Sequence, residues 1–168
     1  MAKLVSKTYG EALYEVAMES GGSKASELLE EIRLVEGILA ANPQFDELMK
    51  HPGIPKQEKE QIVESVFKGR VSDELAGLLA AVVSKDRYGE LAAIFQYFTD
   101  RVKEQQRIGV AYVTTAVELD GGQRAAVETK LLETSGYAKM ELHYDVDTSI
   151  IGGMIIRIND RVVDSSVR

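Results

Sequence analysis

The sequence contains no cysteine, only two histidines and no apolar run long enough to cross a membrane. Without cysteine the chain can form neither disulfides nor thiolate metal sites, and His51 and His143 stand apart rather than in a ligand cluster. The longest apolar run, Leu75 to Val83, is far shorter than the roughly 20 residues of a transmembrane helix. The amino terminus also lacks the apolar core of a signal peptide. We therefore expect no metal and no cofactor, and membrane association only through other proteins.

Basic residues are also scarce, with 20 Lys and Arg against 27 Asp and Glu, for a net charge of −7. A chain of this charge repels the phosphate backbone, so nucleic acid is not an expected partner. The 168 residues fit one ordinary domain or two small ones, and the 45% of hydrophobic residues can build a core. The lack of cysteine is consistent with a cytoplasmic location.

The first hundred residues show apolar positions at helical spacing, interrupted by glycine and proline. The pattern predicts helices from Lys7 to Met18, from a cap at Ser26 to Ala41, around Phe45 to Met49, from Pro55 to Gly69, from a cap at Ser72 onward, and over Leu91 to Val102. The polar run that follows, Lys103 to Arg107, predicts a domain boundary. The expected domains are residues 1–105 and 106–168.

The helix that follows Ser72 is unusual because Leu75 to Val83 is apolar on all sides. A helix at the surface of a small bundle should show polar residues over about half of its circumference. Two interpretations are open. Either this helix is central and covered by its neighbours, or it forms part of a groove that a partner helix fills.

The second part of the chain changes to strand spacing. Ile108 to Val117 is rich in β-branched residues and predicts a buried strand, and Asp120 precedes a helix that Gly136 ends. Met140 to Val146 alternates apolar and polar residues, which predicts a strand with one buried face. Asn159-Asp160 then predicts the turn of a closing hairpin. The expected fold class is α+β, with an amino-terminal six-helix bundle and a small α/β carboxyl domain that ends in a β-hairpin.

No pattern of residues predicts reaction chemistry. Gly121-Gly122 lies between a strand and a helix, but it lacks the lysine of a P-loop and the third glycine of a dinucleotide site. Neither a supported Ser-His-acid set nor a cysteine nucleophile is present. Gly152-Gly153 predicts either a bulge or the close approach of another backbone. We therefore expect no catalytic residues and a protein that is not an enzyme.

Four segments resemble a known family. They are Tyr9-Gly-Glu-Ala-Leu-Tyr-Glu-Val-Ala17, Asn42-Pro-Gln-Phe45, Leu79 to Leu91, and the closing stretch from Asp147 to Arg168. In this order they resemble the δ subunit of bacterial rotary ATP synthases, the counterpart of the mitochondrial oligomycin-sensitivity-conferring protein. The resemblance implies a non-catalytic stator subunit, which keeps the catalytic head from turning with the shaft. A stand-alone helical adaptor with an unrelated client is the alternative.

The resemblance also implies partner-binding residues. In that family the first and fifth helices receive the amino-terminal helix of an α subunit. The residues implied here are Tyr9, Ala12, Leu13 and Val16 on one wall, and Leu75, Leu78, Leu79 and Val82 on the other. On this basis, replacing Leu79 by Glu is expected to weaken the complex while the domain stays helical.

The carboxyl domain of that family meets the b subunits of the peripheral stalk. The residues implied for this contact are Gly152, Gly153, Met154 and Ile156. Members of the family usually continue past the segment that ends here at Arg168 into a final amphipathic helix. The implied location is the cytoplasmic face of the bacterial cell membrane, as a peripheral part of the ATP synthase complex.

Overall fold

The computed structural model describes residues 2–167, which contain seven α-helices and one four-stranded mixed sheet. The α-helices are α1 (Ala2–Glu19), α2 (Gly22–Ala41), α3 (Pro43–Lys50), α4 (Lys56–Phe67), α5 (Asp73–Ser84), α6 (Leu91–Gln105) and α7 (Gly121–Ser135). The strands are β1 (Ile108–Thr115), β2 (Lys139–Val146), β3 (Met154–Ile158) and β4 (Arg161–Asp164). The α+β class predicted from the sequence is confirmed.

The chain forms two compact units, Met1–Val102 and Lys103–Arg168, here called unit 1 and unit 2. Unit 1 contains α1 to α5, a short 3₁₀ turn at Tyr88–Glu90, and most of α6. Unit 2 contains the sheet and α7. Among the described residues, no helix has the length and apolar character needed to cross a bilayer.

Unit 1 is built around buried side chains from all six of its helices. The largest fully buried ones are Phe95 and Phe98 of α6 and Leu28 and Ile32 of α2. α1 packs against α2 and α5, and α4 packs against α5. The helices therefore share one core, in which the apolar side of α5 is central.

Two predicted helix starts have different outcomes. The Ser72 side chain caps α5 by accepting a hydrogen bond from the Leu75 amide, as predicted. The cap predicted at Ser26 is wrong, because α2 already begins at Gly22. Gly21 precedes it with a φ of 93°, a conformation that glycine adopts without strain, so the chain turns immediately into α2.

In unit 2 the strand order is β2-β1-β3-β4. β1 and β2 are parallel, and α7 makes the crossover between them, while β3 pairs antiparallel with both β1 and β4. α7 starts with a capping box formed by Asp120 and Gln123 and ends at Gly136, which has a φ of 75°. These local signals place α7 over one face of the sheet, where Leu131 packs with Ala111 and Met140.

Two strand predictions need correction. β1 ends at Thr115 rather than at Val117, which is exposed. Val146 was expected to face the core, but 45% of it is exposed. It occupies the last position of an edge strand, where the neighbouring strand covers it from one side only.

The burial of α5 predicts a strong dependence of stability on its leucines. Replacing Leu79, which is 3% exposed, by alanine should lower the free energy of unfolding of unit 1 by about 2–5 kcal/mol, because it leaves a cavity. Leu34 on α2 is 68% exposed, and Leu34→Ala should change stability by less than about 0.5 kcal/mol. Denaturant unfolding followed by helical circular dichroism measures both. Equal effects of the two substitutions would contradict the placement of α5.

Candidate partner-binding surfaces

The large side chains of α5 point into unit 1. Leu75, Leu78, Leu79 and Val82 are all buried. After Asp73, the opposite side of the helix exposes only small residues, Gly77, Ala80 and Ala81, which we call the α5 strip. The all-round apolar character of this helix thus has two origins: a leucine-rich side covered by its own neighbours, and an outward side without bulky groups.

The predicted residues of α1 also divide into a buried group and an accessible group. Leu13 is buried, Tyr9 is half-buried, and Ala12 and Val16 are exposed. With the half-buried Val5, the three accessible residues recur at steps of four, three and four and so share one flank of the helix. We call Val5, Tyr9, Ala12 and Val16 the α1 stripe.

The expectation that all eight predicted residues line an open groove is therefore corrected. Leu13 and the four α5 residues are packed in the core of unit 1, so an incoming helix would meet them only as a floor. Leu79→Glu does not isolate binding from folding, since Leu79 is buried and that substitution would put a carboxylate into the core. The predicted set contains only the large residues of α5, because the sequence does not show which side of an apolar helix its own neighbours cover.

The other flank of α1 is fixed to α6 by a polar cluster around Glu11. The Glu11 carboxylate accepts hydrogen bonds from the Tyr97 hydroxyl (2.7 Å) and from two nitrogens of Arg101 (3.1 Å each). The Arg101 guanidinium also lies over the ring of Tyr14, 4.5 Å from its centroid. A side chain at Gly10 would collide with Tyr97, so glycine permits this close packing. The cluster orients α1 and turns its stripe away from α6.

The cluster changes the ionisation of its members. Hydrogen bonds from Arg101 and Tyr97 hold the pKa of Glu11 below its usual value. The hydrogen bond to Glu11 raises the pKa of Tyr97, because it favours the protonated hydroxyl. At neutral pH the cluster is therefore a carboxylate held by one cation and one neutral hydroxyl.

The four predicted stalk-contact residues have structural roles within unit 2. Gly153 has a φ of 77°, and a side chain there would collide with the backbone carbonyl of Ser165. Gly152 pairs with Val167 through backbone hydrogen bonds. Met154 is half-buried, and Ile156 packs against the apolar cluster beneath α7. The close backbone approach predicted at these glycines is made by the chain itself.

The face of the sheet opposite α7 carries a row of flat side chains. Tyr112 of β1 stacks on His143 of β2 with ring centroids 5.0 Å apart, and the Arg157 guanidinium lies 4.7 Å from the Tyr112 ring centroid. A shallow depression of about 400 Å³ lies at this row and extends to Val162. The alternation of β2 predicts that His143 points away from the core. The contacts of Tyr112 and Arg157 depend on the register between strands, which the sequence does not show.

Polar groups beside this row form ion pairs rather than a reactive site. Glu141 lies 2.8 Å from the ammonium group of Lys103 and 3.0 Å from Nε2 of His143. The hydrogen bond from Lys103 and the charge of that ammonium group, with a smaller effect of His143, hold the pKa of Glu141 below its usual value, although partial burial opposes the shift. Within residues 2–167 no group of three or more acidic or histidine side chains could hold a metal ion. The arrangement suits binding of a partner surface.

Comparison with known proteins identifies relatives over the full length of the chain. Residues 5–168 match the sequence model of the family described as ATP synthase delta (OSCP) subunit. ATP synthase subunit delta of Lachnoclostridium phytofermentans is 49% identical over 168 residues, which are 100% of this chain and 91% of that protein. The protein of the same name from Alkaliphilus oremlandii is 32% identical over 168 residues, covering 100% and 92% of the two chains.

A solved structure shows the same fold. A chain in the cryo-EM structure of the Toxoplasma gondii mitochondrial ATP synthase hexamer superimposes with a TM-score of 0.74 and covers 96% of this chain and 90% of that one. Its sequence identity is 18%, so this likeness supports the fold alone.

The Glu11 cluster predicts a pH-dependent contribution to stability. Because the folded-state pKa of Glu11 is lowered, its stabilising effect is present above the unfolded pKa, near 4.3, and is lost as the pH falls through the folded value. Glu11→Gln should therefore reduce the stability of unit 1 at neutral pH, and its difference from the unsubstituted chain should shrink as the pH falls below about 4. Denaturant unfolding at a series of pH values measures this. Glu47→Gln, at an exposed position of α3, is the control and should show no such trend.

The two adjacent glycines predict unequal effects of one substitution. Gly153→Ala should destabilise unit 2 by at least about 1–2 kcal/mol, because alanine is strained at positive φ and its methyl group meets Ser165. Gly152→Ala should be nearly neutral, since nothing lies within 4 Å of the added carbon. Hydrogen exchange of the β3 and β4 amides measures both effects. Loss of protection in Gly152→Ala but not in Gly153→Ala would contradict this geometry.

Proposed function

The chain belongs to the ATP synthase delta (OSCP) subunit family, non-catalytic components of the peripheral stalk, and we propose that it ties the catalytic head to the stalk. Rotation of the central shaft drives ATP synthesis only when the head is held still. A connector therefore has to resist torque and needs no reaction chemistry. The family match over residues 5–168 is the observation that carries this proposal.

In this proposal unit 1 binds the head, with α1 to α6 acting as a six-helix bundle. The partner is the amino-terminal helix of an α subunit, which lies on the α1 stripe and the α5 strip. Two features support this assignment. The α1 stripe presents apolar groups that no neighbour in unit 1 fully covers, and the α5 strip lets another helix approach closely because it lacks long side chains. Leu13 and the buried residues of α5 form the rigid floor beneath.

Such a surface can supply the affinity that a stator needs. Nanomolar binding corresponds to roughly −12 kcal/mol, and slow dissociation gives the long-lived hold. Burial of apolar surface contributes about 25 cal/mol per Å² to the binding free energy. The entropy lost when the incoming helix becomes ordered offsets part of this contribution. A preformed floor and an α1 already fixed by Glu11 reduce that cost on the side of this chain.

Unit 2 is the proposed attachment for the b subunits of the stalk. The predicted residues Gly152, Gly153, Met154 and Ile156 shape the β3–β4 hairpin from within, as their contacts above indicate. We assign the contact itself to the uncovered sheet face, where Tyr112, Arg157 and Val162 are accessible. Aromatic and arginine side chains are the types most enriched at the centres of protein interfaces.

The proposed location is the cytoplasmic face of the bacterial cell membrane. The chain would be held there by the head and the stalk rather than by its own contact with lipid.

A peptide with the amino-terminal sequence of the α subunit from the same organism tests the function. It should bind the full chain with one-to-one stoichiometry in isothermal titration calorimetry. Ala81→Arg should weaken this binding at least about tenfold, equivalent to 1.4 kcal/mol, because a long charged side chain blocks the α5 strip. Ala126→Arg is the matched control, since it alters an exposed alanine on α7 of unit 2.

Absence of binding at tens of micromolar peptide would reject the head-binding role. Equal losses in the two arginine variants would move the site away from α5. Circular dichroism should show both variants to be as helical as the unsubstituted chain, since both positions are exposed.

A further inference from the structure

Unit 1 carries a depression that shares no residue with the α1 stripe or the α5 strip. It has a volume of about 410 Å³ and is formed by the end of α2, by α3, by the 3₁₀ turn at Tyr88–Glu90 and by the start of α6. Ligand pockets in proteins have volumes from about 300 Å³ upward. The depression is therefore large enough for a small organic molecule.

Tyr88, one of the residues that line this depression, has a polar atom without a partner. The residue is only 9% exposed, and no described residue forms a hydrogen bond with its hydroxyl group. Burial, with a smaller effect of the negative charge of Asp46, raises the pKa of this hydroxyl group, which therefore stays protonated at neutral pH. Most buried polar side chains have a hydrogen-bond partner. The Tyr88 hydroxyl group is thus available to a bound molecule.

Acidic groups predominate among the charged residues of the depression. Glu36 is exposed and forms no ion pair with any described residue. The carboxylate of Asp46 is paired with the ammonium group of Lys50 at 2.7 Å. Two carboxylates against one ammonium group leave an excess of negative charge. The depression therefore favours a cation.

The floor of the depression is apolar. Leu39, Leu91 and Phe95 contribute to it, and the last two are almost fully buried. Ala40 and Ala92 complete it without adding bulk. A compact apolar group can lie on this floor, which is the usual composition of a ligand pocket: mostly apolar, with a few polar groups that fix the orientation.

From this combination we propose that the depression binds a small primary amine with an apolar body. Its ammonium group has three N–H donors. They donate to the carboxylates of Asp46 and Glu36 and to the oxygen of the Tyr88 hydroxyl group, while the apolar body covers the floor. This inference is independent of the proposed function, because it uses no residue assigned to the head or to the stalk.

Other classes of small molecule fit these groups less well. An anion would be repelled by Asp46 and Glu36. A neutral apolar molecule would cover the floor but leave the Tyr88 hydroxyl group without a hydrogen bond.

The amine reaches the Tyr88 hydroxyl group only after a side chain of the depression moves, because that group is closed to solvent. The side chains of Asp46 and Lys50 are 41% and 55% exposed, and ion pairs as exposed as this one contribute little to stability. The pair can therefore open at small cost. The ammonium group of the ligand then takes the place of Lys50 beside Asp46.

Three probes of similar shape test the class of ligand. Benzylamine, benzyl alcohol and benzoate are each titrated into the ¹⁵N-labelled full chain, and the amide signals of Gly89 and Ala92 are followed. Benzylamine should bind with a dissociation constant on the order of 1 mM, benzyl alcohol at least about tenfold more weakly, and benzoate not detectably. Absence of a saturable shift with benzylamine, or equal binding of the alcohol, would overturn the proposal.

A pair of substitutions on α3 tests the role of charge. Asp46→Asn should weaken the binding of benzylamine at least about fivefold and remove its preference over benzyl alcohol. Glu47→Gln is the matched control, because Glu47 is the next residue of the same helix, is exposed and does not line the depression. It should leave the affinity unchanged. Equal losses in the two variants would overturn the proposal.

Tyr88→Phe separates a binding role of the hydroxyl group from a structural one. Benzylamine should bind about three- to tenfold more weakly to this variant, because one hydrogen bond of the ammonium group is lost. The melting temperature of the free chain should stay the same or rise, since the hydroxyl group has no partner to lose. A lower melting temperature with unchanged affinity would show a structural role and overturn the proposal.

A lysine side chain of another protein carries the same ammonium group as a free amine. Nα-acetyl-lysine methylamide is therefore titrated in parallel with benzylamine. It should bind more weakly, because its thin aliphatic chain covers less of the apolar floor. Tighter binding of the lysine derivative would overturn the assignment to a free amine.

Discussion

The packing of the α5 leucines into the core of unit 1 is the constraint on which the rest of this half of the molecule depends. A helix with apolar residues on all sides could in principle bury any side. The space that unit 1 leaves for α5 is filled by its large leucine and valine side chains, and alanine and glycine would not fill it. Burying the large side chains therefore fixes the rotation of α5 about its axis. It also leaves the small residues outside, where they permit close contact with another helix.

The second constraint is the attachment of α1 to α6. Glu11 holds Tyr97 and Arg101 with charge-assisted hydrogen bonds, and Gly10 lets the two helices come close. One flank of α1 is thereby fixed to the bundle, and the opposite flank stays accessible. A polar cluster on one side of a helix thus determines which apolar residues stay accessible on the other.

Local signals in the sequence predicted most of the fold. Ser72 and Asp120 cap helices as their side chains suggest, and Gly136 ends α7 in the left-handed conformation. The cap predicted at Ser26 is wrong because α2 begins earlier, directly after Gly21. The backbone conformation of Gly21 permits this start, and no side chain signals it in the sequence. The site was predicted less well, since an apolar residue in a sequence gives no sign of whether the chain itself or another protein covers it. Leu79 and Val16 show the difference: their apolar character is similar, and only the first is buried.

The order of strands in unit 2 bears on how the molecule is made. β3 lies inside the sheet between β1 and β4. It is the third strand to be synthesised, so β1 has no partner on this side until β3 has been made. The parallel pair of β1 and β2 also has to wait for α7, so few native contacts in unit 2 are local. The helices of unit 1 can fold while these strands are still being translated. Unit 1 can therefore be folded before unit 2 is complete, so under the proposed function the head-binding end would be ready before the stalk-binding end.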